Sequence, residues 1–277
     1  MNTKIKVENL TVQYKNGNML FTALENVSFT VKAGQFVSII GPSGCGKSTL
    51  LNVLGGLRFP AAGKAAIEGV PITGPGTDRS MVFQHYSLFP WMTALNNVAF
   101  GIKQAKKDLP RKKRLRKAEI FLEKVGLDNF IHKYPDELSG GMKQRVAIAR
   151  ALAMDTGILL LDEPFGSVDA KNRTVLQELL LRLWEGGSGD DTVYPVEDPL
   201  PGGERKTVIF VTHDIDEAIL MSDRIIMLSG SPGKNYREID VSFERPRNRA
   251  SLVQTAEYTV MRNELISLFF DDFGNSI

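Results

Sequence analysis

Cysteine is almost absent from this chain: among 277 residues there is one, Cys45, which excludes an internal disulfide framework and fits a reducing compartment. Excess charge is missing too. Lys and Arg number 34 against 32 Asp and Glu, and the net +2 gives no global electrostatic case for nucleic acid. No apolar stretch is long enough to cross a bilayer, and the opening Met1-Asn2-Thr3-Lys4-Ile5-Lys6-Val7 lacks the apolar centre of a signal peptide. Any work at a membrane would therefore pass through a partner or the surface. The length is enough for one large domain or two lobes with a substantial core.

The chemistry concentrates at Gly41-Pro42-Ser43-Gly44-Cys45-Gly46-Lys47-Ser48-Thr49, which has the spacing of a phosphate-cradling loop. Its glycines let successive backbone N–H groups turn toward a phosphate chain where a Cβ would block approach. Lys47 can then reach the β and γ phosphates, and Ser48 can hold Mg²⁺. The apolar runs Phe36-Val37-Ser38-Ile39-Ile40 before it and Thr49-Leu50-Leu51-Asn52-Val53-Leu54 after it predict strand, loop and helix, with the helix N-terminus aimed at the anion. A nucleoside triphosphate is the expected ligand.

Residues 4–12 and 21–31 read as strands joined across Lys15-Asn16-Gly17-Asn18, and Tyr14 closes the first. An aromatic there serves either to stack on a base or to pack the sheet. Further strands are expected at 65–67 and 80–83, separated by the turn-rich Gly69-Val70-Pro71-Ile72-Thr73-Gly74-Pro75-Gly76. From 96 to about 130 the pattern becomes helical and very basic, from Lys103 to Lys117; the commoner meaning of such a run is a solvated face, with Ala118, Phe121, Leu122 and Val125 packing inward.

Leu138-Ser139-Gly140-Gly141-Met142-Lys143-Gln144-Arg145 then leads into an Ala-rich helix. Ser139 with Gly140 and Gly141 at a helix start offers either a second anion site or an ordinary N-cap and turn. The apolar run 158–161 predicts a buried parallel strand ending in Asp162-Glu163, and 207–212 a last strand delivering His213-Asp214 to the same kind of sheet edge, where α/β proteins place ligand chemistry. Residues 185–206 are too long for an ordinary connection, and a surface loop without catalytic role, or a small hairpin at Thr192-Val193-Tyr194, is expected.

In combination and order, these pieces resemble the ATPase subunit of an ATP-binding cassette (ABC) transporter over nearly the whole chain: the phosphate loop, Gln84 after a strand, the signature Leu138-Ser139-Gly140-Gly141, Asp162-Glu163, Ser167-Val168-Asp169 and His213. The resemblance implies an α/β fold: a P-loop NTPase core with mixed sheet, an N-terminal antiparallel β subdomain and an inserted α-helical subdomain at about 90–155. The cassette would occupy 1–246 and a helical tail 247–277, with helix around 252–270 and no large sensor module. It implies ATP and Mg²⁺ as ligands. Tyr14 would stack on adenine; Gly41, Ser43, Gly44, Cys45, Gly46, Lys47, Ser48 and Thr49 would hold the phosphates; Ser48, Gln84 and Asp162 would serve the metal. Glu163 would act as general base and His213 would contact the γ-phosphate. Ser139, Gly140 and Gly141 would close on ATP held by a second cassette in a head-to-tail pair, with Asp169 in the loop communicating across it.

The partners implied are an integral membrane permease, docked at Gln84-His85-Tyr86-Ser87-Leu88-Phe89-Pro90-Trp91, and indirectly a periplasmic or lipid-anchored solute-binding protein. The expected location is the cytoplasmic face of the inner membrane, peripherally bound. Gly74-Pro75-Gly76-Thr77-Asp78-Arg79, Leu88-Phe89-Pro90-Trp91-Met92-Thr93 and Ser231-Pro232-Gly233 through Arg245-Pro246-Arg247 resemble the importer branch for nitrate, sulfonate, taurine and bicarbonate. The long 185–206 segment and Ser-Val in place of Ala-Leu at 167–168 depart from it. The competing classes are a soluble cassette ATPase acting on nucleic acid or ribosomes, and a P-loop kinase, which has no use for the signature. No nucleic-acid partner is expected. The thiol of Cys45 is expected to react less readily when ATP is bound.

Overall fold

The computed structural model describes residues 2–17, 19–166, 168–185 and 205–274. The chain divides into one unit of Met1–Pro75 with Val208–Ile277 and a second of Gly76–Thr207.

The first unit opens with β1 (Thr3–Asn16) and β2 (Met19–Lys32), paired antiparallel. Both are longer than expected, because pairing continues toward the hairpin end. The buried residues of β1 fall at Ile5, Val7, Leu10 and Val12. That spacing slips by one residue between Val7 and Leu10, where the register shifts and Asn9 takes φ 49°. Asn26 at φ 53° does the same between the buried Leu24 and Val27 of β2. These bulges absorb the extra residue, so a period-2 pattern keeps its apolar face inward. Next come β3 (Phe36–Ile40), buried throughout, and α1 (Lys47–Leu54). β4 (Ala62–Ile67) and the short β5 (Val70–Pro71), which lies in the stretch expected to be all turn, complete a sheet ordered β2-β1-β4-β5.

In the second unit, β6 (Arg79–Val82) precedes α2 (Ala94–Ala105), α3 (Arg111–Lys124) and α4 (Gly140–Ala153). The helical stretch expected over 96–130 breaks before Pro110, which cannot donate a backbone hydrogen bond and disfavours helix in the residue before it. Ala118, Phe121, Leu122 and Val125 are buried as their spacing requires, while Arg111, Lys112, Lys113 and Arg116 are solvated. β7 (Ile158–Asp162), fully buried, runs parallel to β6, and α5 (Ala170–Trp184) follows.

β8 (Thr207–Val211) carries the chain back to the first unit, followed by α6 (Ile215–Met221), β9 (Arg224–Leu228) and β10 (Asn235–Asp240). The strand at 207–212 is therefore not the last. The run Ile225-Ile226-Met227-Leu228 pairs parallel with β3, and β10 adds antiparallel to β9, so this sheet is mixed. β3 lies between β8 and β9, buried on both faces as parallel strands are. The tail forms α7 (Arg249–Leu252) and α8 (Ala256–Gly274). The expected hairpin at Thr192-Val193-Tyr194 lies outside the described residues.

Candidate functional site

In the first unit the phosphate loop connects β3 to α1. Gly46 caps α1 at φ 94°, ψ 12°, with no side-chain cap, and the positive end of the helix dipole there favours an anion. A Cβ at Gly46 would stand 2.6 Å from Leu24 Cδ2 and 2.8 Å from the Ala23 carbonyl, so close approach and a left-handed backbone both demand glycine. At Gly44, φ +84°, a Cβ would meet nothing within 4 Å: this side of the loop is open space. The buried Lys47 donates from Nζ to the carbonyls of Gly41 and Pro42, each at 2.8 Å, and so holds its ammonium over the loop. The cradle fits a chain of phosphates on these observations. Ser43 lies in the exposed turn of the loop and Ser48 in the first turn of α1. Thr49 Oγ1 lies 3.2 Å from the Tyr14 hydroxyl. Cys45 is 1% exposed, so its thiol is already shielded without nucleotide, and the expected protection by ATP has little to act on.

His213 enters the same unit from β8. Ile39 pairs with Val211, so Gly41 and His213, two residues further along parallel neighbours, lie level at one sheet edge. Its backbone is set by a short network: Thr212 Oγ1 donates to Glu217 Oε2 at 2.7 Å, the Asp214 N–H donates to Thr212 Oγ1, and Asp214 caps α6 by accepting from the Glu217 N–H. The imidazole is exposed at this turn.

The second unit repeats that register logic. Val82 pairs with Leu161, and two residues beyond each lie Gln84 and Glu163, whose side chains meet at 3.3 Å, Nε2 donating to Oε2. Glu163 sits at φ 44°, an uncommon conformation for a non-glycine residue and one that clusters at functional sites. Asp162 ends β7 at 5% exposure. No group of three or more His, Cys, Asp or Glu able to hold a metal exists among the described residues. The Asp162 carboxylate in this unit and the Ser48 hydroxyl in the first are each hard oxygen donors of the kind Mg²⁺ takes.

Ser139 is the N-cap of α4 and accepts from the Met142 N–H at 3.3 Å, a bond that takes one leading amide and does not bear on an anion at the others. A Cβ on Gly140 would fall 2.9 Å from the Tyr86 hydroxyl. Asp169 caps α5 and accepts from the Asn172 backbone and side-chain amides. Those bonds, the side-chain one foremost, hold its carboxyl below the usual carboxylate range, and the nearby Arg145 charge adds to them. Trp91 is 69% exposed beside Phe89, ring centroids 5.5 Å apart, while Phe89 packs edge-on to Phe100.

Several contributors escaped the sequence reading. Arg150 of α4 donates to the carbonyls of Ser87 and Tyr86, holding the loop after Gln84, and its burial pulls the guanidinium below its ordinary value. Asn97 ties Phe89, Met92 and Thr93 through their backbones. In the first unit Gly233 exchanges backbone hydrogen bonds with Glu25 and Ala23, and a Cβ there would fall 1.9 Å from the Cys45 carbonyl. The Ser231-Pro232-Gly233 turn thus props the phosphate loop against β2. The available signal was the Pro-Gly pair; what it lacked was any hint of its partner.

A glycine-rich strand-to-helix loop with a buried lysine, a left-handed glutamate bonded to a glutamine beyond parallel strands, and a mixed sheet with a separate antiparallel sheet define a phosphate-loop ATPase of the cassette type. Comparison with known proteins supplies the family. Residues 24–166 match the ABC transporter family. The chain is 42% identical over 256 residues to the nitrate import ATP-binding protein NrtD of Synechococcus elongatus, covering 92% of this chain and 87% of the relative. It is 40% identical over 273 residues to the nitrate transport protein NasD of Klebsiella oxytoca, covering 98% of each. Among solved structures, a dimeric ATP-binding cassette in a post-hydrolysis state with ADP and Pi is 35% identical at TM-score 0.73, covering 87% of this chain and all of that one. The chain belongs to the ABC transporter family and is an ATP-binding, ATP-hydrolysing cassette.

Proposed function

We propose that this cassette powers an importer of a small solute such as nitrate, bicarbonate or a sulfonate, working as one of a head-to-tail pair on a separate permease. The observation that carries the chemistry is the Gln84–Glu163 contact beyond the paired ends of β6 and β7. It puts a candidate base beside a residue able to sense both the attacking water and the 84–91 loop. The solute class rests on the nitrate carriers to which the chain is similar over nearly its full length.

In this reading the phosphates of ATP lie in the cradle from Gly41 to Thr49, with Gly41, Ser43, Gly44, Cys45 and Gly46 turning backbone N–H groups toward them. Lys47 moves its ammonium from the loop carbonyls to the β and γ phosphates. Tyr14 stacks on the base. Ser48, Gln84 and Asp162 would hold Mg²⁺, which would supply neutralisation of the phosphate charge. Glu163 polarises the attacking water and His213 contacts the γ-phosphate. Ser139, Gly140 and Gly141, with the positive end of α4, meet ATP held by the other cassette, so ATP binding draws the pair together and hydrolysis releases it. Movement passes to the permease through the loop bearing Trp91, whose exposed ring offers an apolar contact for a membrane partner's helix at the cytoplasmic face. The net charge of +2 and the similarity to nitrate import and transport proteins do not favour a nucleic-acid partner, and on α3 Arg116 is engaged with Glu119 and Glu123.

The test is affinity purification of tagged protein from gently solubilised membranes. A permease should come with it, and Trp91→Ala should lose that permease while retaining ATP binding. Recovery of only soluble or nucleic-acid partners would leave the ATPase standing and overturn the importer reading.

A further inference from the structure

Tyr14 is fixed on a side that its proposed role in stacking leaves unexplained. The Arg58 guanidinium lies over its ring, 4.2 Å from the centroid, and donates to the Gln13 carbonyl at 2.5 Å. Arg58 Nε is shut off from solvent and has no hydrogen-bond partner among the described residues. A donor in that position over an aromatic face is compensated by the ring's negative quadrupole, and desolvation strengthens the attraction. Both residues are anchored to α1. The Arg58 and Leu57 N–H groups donate to the Asn52 carbonyl, and the Tyr14 hydroxyl lies 3.2 Å from Thr49 Oγ1 one turn earlier. The phenol is therefore held at its backbone in β1, at its hydroxyl and across one face, by the helix that also forms the phosphate cradle.

We propose that Arg58 is a positioning residue for the nucleotide base, its guanidinium backing one face of Tyr14 so that the opposite face is set, at a fixed distance from the cradle, for the base to stack. The inference rests on the reading of Tyr14 as the stacking residue. A side chain hydrogen-bonded to Gln13, with Nε buried, is built as a support rather than as a cover that the base must displace. The layered order of cation, phenol and base also sets the ring's orientation before the ligand arrives, which lowers the ordering cost of binding. Arg58 bonds to Gln13 and backs the Tyr14 ring rather than the Gly41–Thr49 loop, so in this proposal its own contribution belongs to the base.

The experiment titrates ADP and inorganic pyrophosphate, each with Mg²⁺, into the full chain by calorimetry, for wild type, Arg58→Ala, Arg58→Lys, Tyr14→Ala and the Tyr14→Ala/Arg58→Ala double variant. Arg58→Ala should weaken ADP by about 3- to 10-fold, in keeping with a partly desolvated cation–π contact. It should leave pyrophosphate within about twofold, since no base contact is lost. Arg58→Lys should recover part of the ADP loss, and in the Tyr14→Ala background Arg58→Ala should have no further effect. Pyrophosphate binding serves as the check that each variant is folded with its cradle intact. Unchanged ADP affinity in Arg58→Ala, while Tyr14→Ala weakens it, would overturn the inference and spare the stacking reading. Equal loss for both probes would make Arg58 a support of the cradle and overturn it too. If Tyr14→Ala itself left ADP affinity unchanged, the stacking reading and this inference would fall together.

Discussion

Two helices of this protein begin at glycine-containing turns, and they begin differently. α1 starts from a left-handed Gly46 with no side-chain cap, whereas α4 starts from Ser139, whose hydroxyl already takes the Met142 N–H. Neither has an acidic residue in its first turn. The first helix takes no cap from a side chain; the second takes one, for one of its four leading amides. A motif of similar composition can thus be, in the proposed mechanism, a receptor in one place and a self-closed cap in another. In the proposed mechanism the first must bind ATP alone, and the second meets phosphate only when a partner cassette brings it.

The largest expected effect tests whether binding and chemistry separate along the same line. Glu163→Gln keeps shape and removes the base, so ATP binding should persist while turnover falls on the order of 10² to 10⁴-fold. Normal hydrolysis by that variant would remove Glu163 as base. Next is the rigidity of the receptor. Gly233→Ala puts a methyl group against the Cys45 carbonyl, and the displaced loop should lose on the order of 10²-fold in kcat/KM for ATP. A variant with unchanged steady-state kinetics would mean that the loop yields without consequence.

The self-closed helix should respond more mildly in folding than in function. Ser139→Ala removes one cap, at a cost of about 1 kcal/mol, read as a melting shift of about 2–4 °C. Its turnover loss should exceed what that shift explains, because the hydroxyl is also proposed to meet ATP in the pair. A loss in proportion to stability alone would reduce Ser139 to a cap. The smallest effect concerns Asp169. A carboxylate depressed in the folded state adds stability above its unfolded value and loses it as pH falls through the folded one. The melting difference between wild type and Asp169→Ala should therefore be fully present near neutrality and shrink on acidification below about pH 4. A difference independent of pH would mean that the charge of Asp169 contributes nothing.

What was legible in the sequence was what is local. The phosphate loop, the Ser139 cap and Asp162-Glu163 each announce themselves within a few residues, because their function depends on backbone turns and helix ends. The helix break before Pro110 and the bulges at Asn9 and Asn26 have local causes too, the latter an apolar spacing of three within a spacing of two, yet the expected helix over 96–130 and the plain strands passed over them. β9 and β10 were not legible, since a four-residue apolar run after a short helix becomes a strand only by virtue of β3 beside it. Arg58 reaches Gln13 across 45 positions, and Gly233 reaches the phosphate loop from the far end of the chain. Contacts of that kind are set by packing of the finished fold, and the composition around either residue does not encode them.

The base of α5 carries one more consequence. The Trp184 indole, buried at the helix end, donates to the Lys206 carbonyl at 2.6 Å, and the Lys206 ammonium bridges to Asp155, which Lys106 also grips. Chain that leaves at 185 and returns at 205 is thus clasped at its neck. Once a neck is clasped, the length of what it encloses enters stability only logarithmically. The position is therefore a natural graft point: a lineage can lengthen or trim the intervening chain, and an engineer can splice a fluorescent reporter or an affinity handle there, with the cassette's catalytic parts left undisturbed.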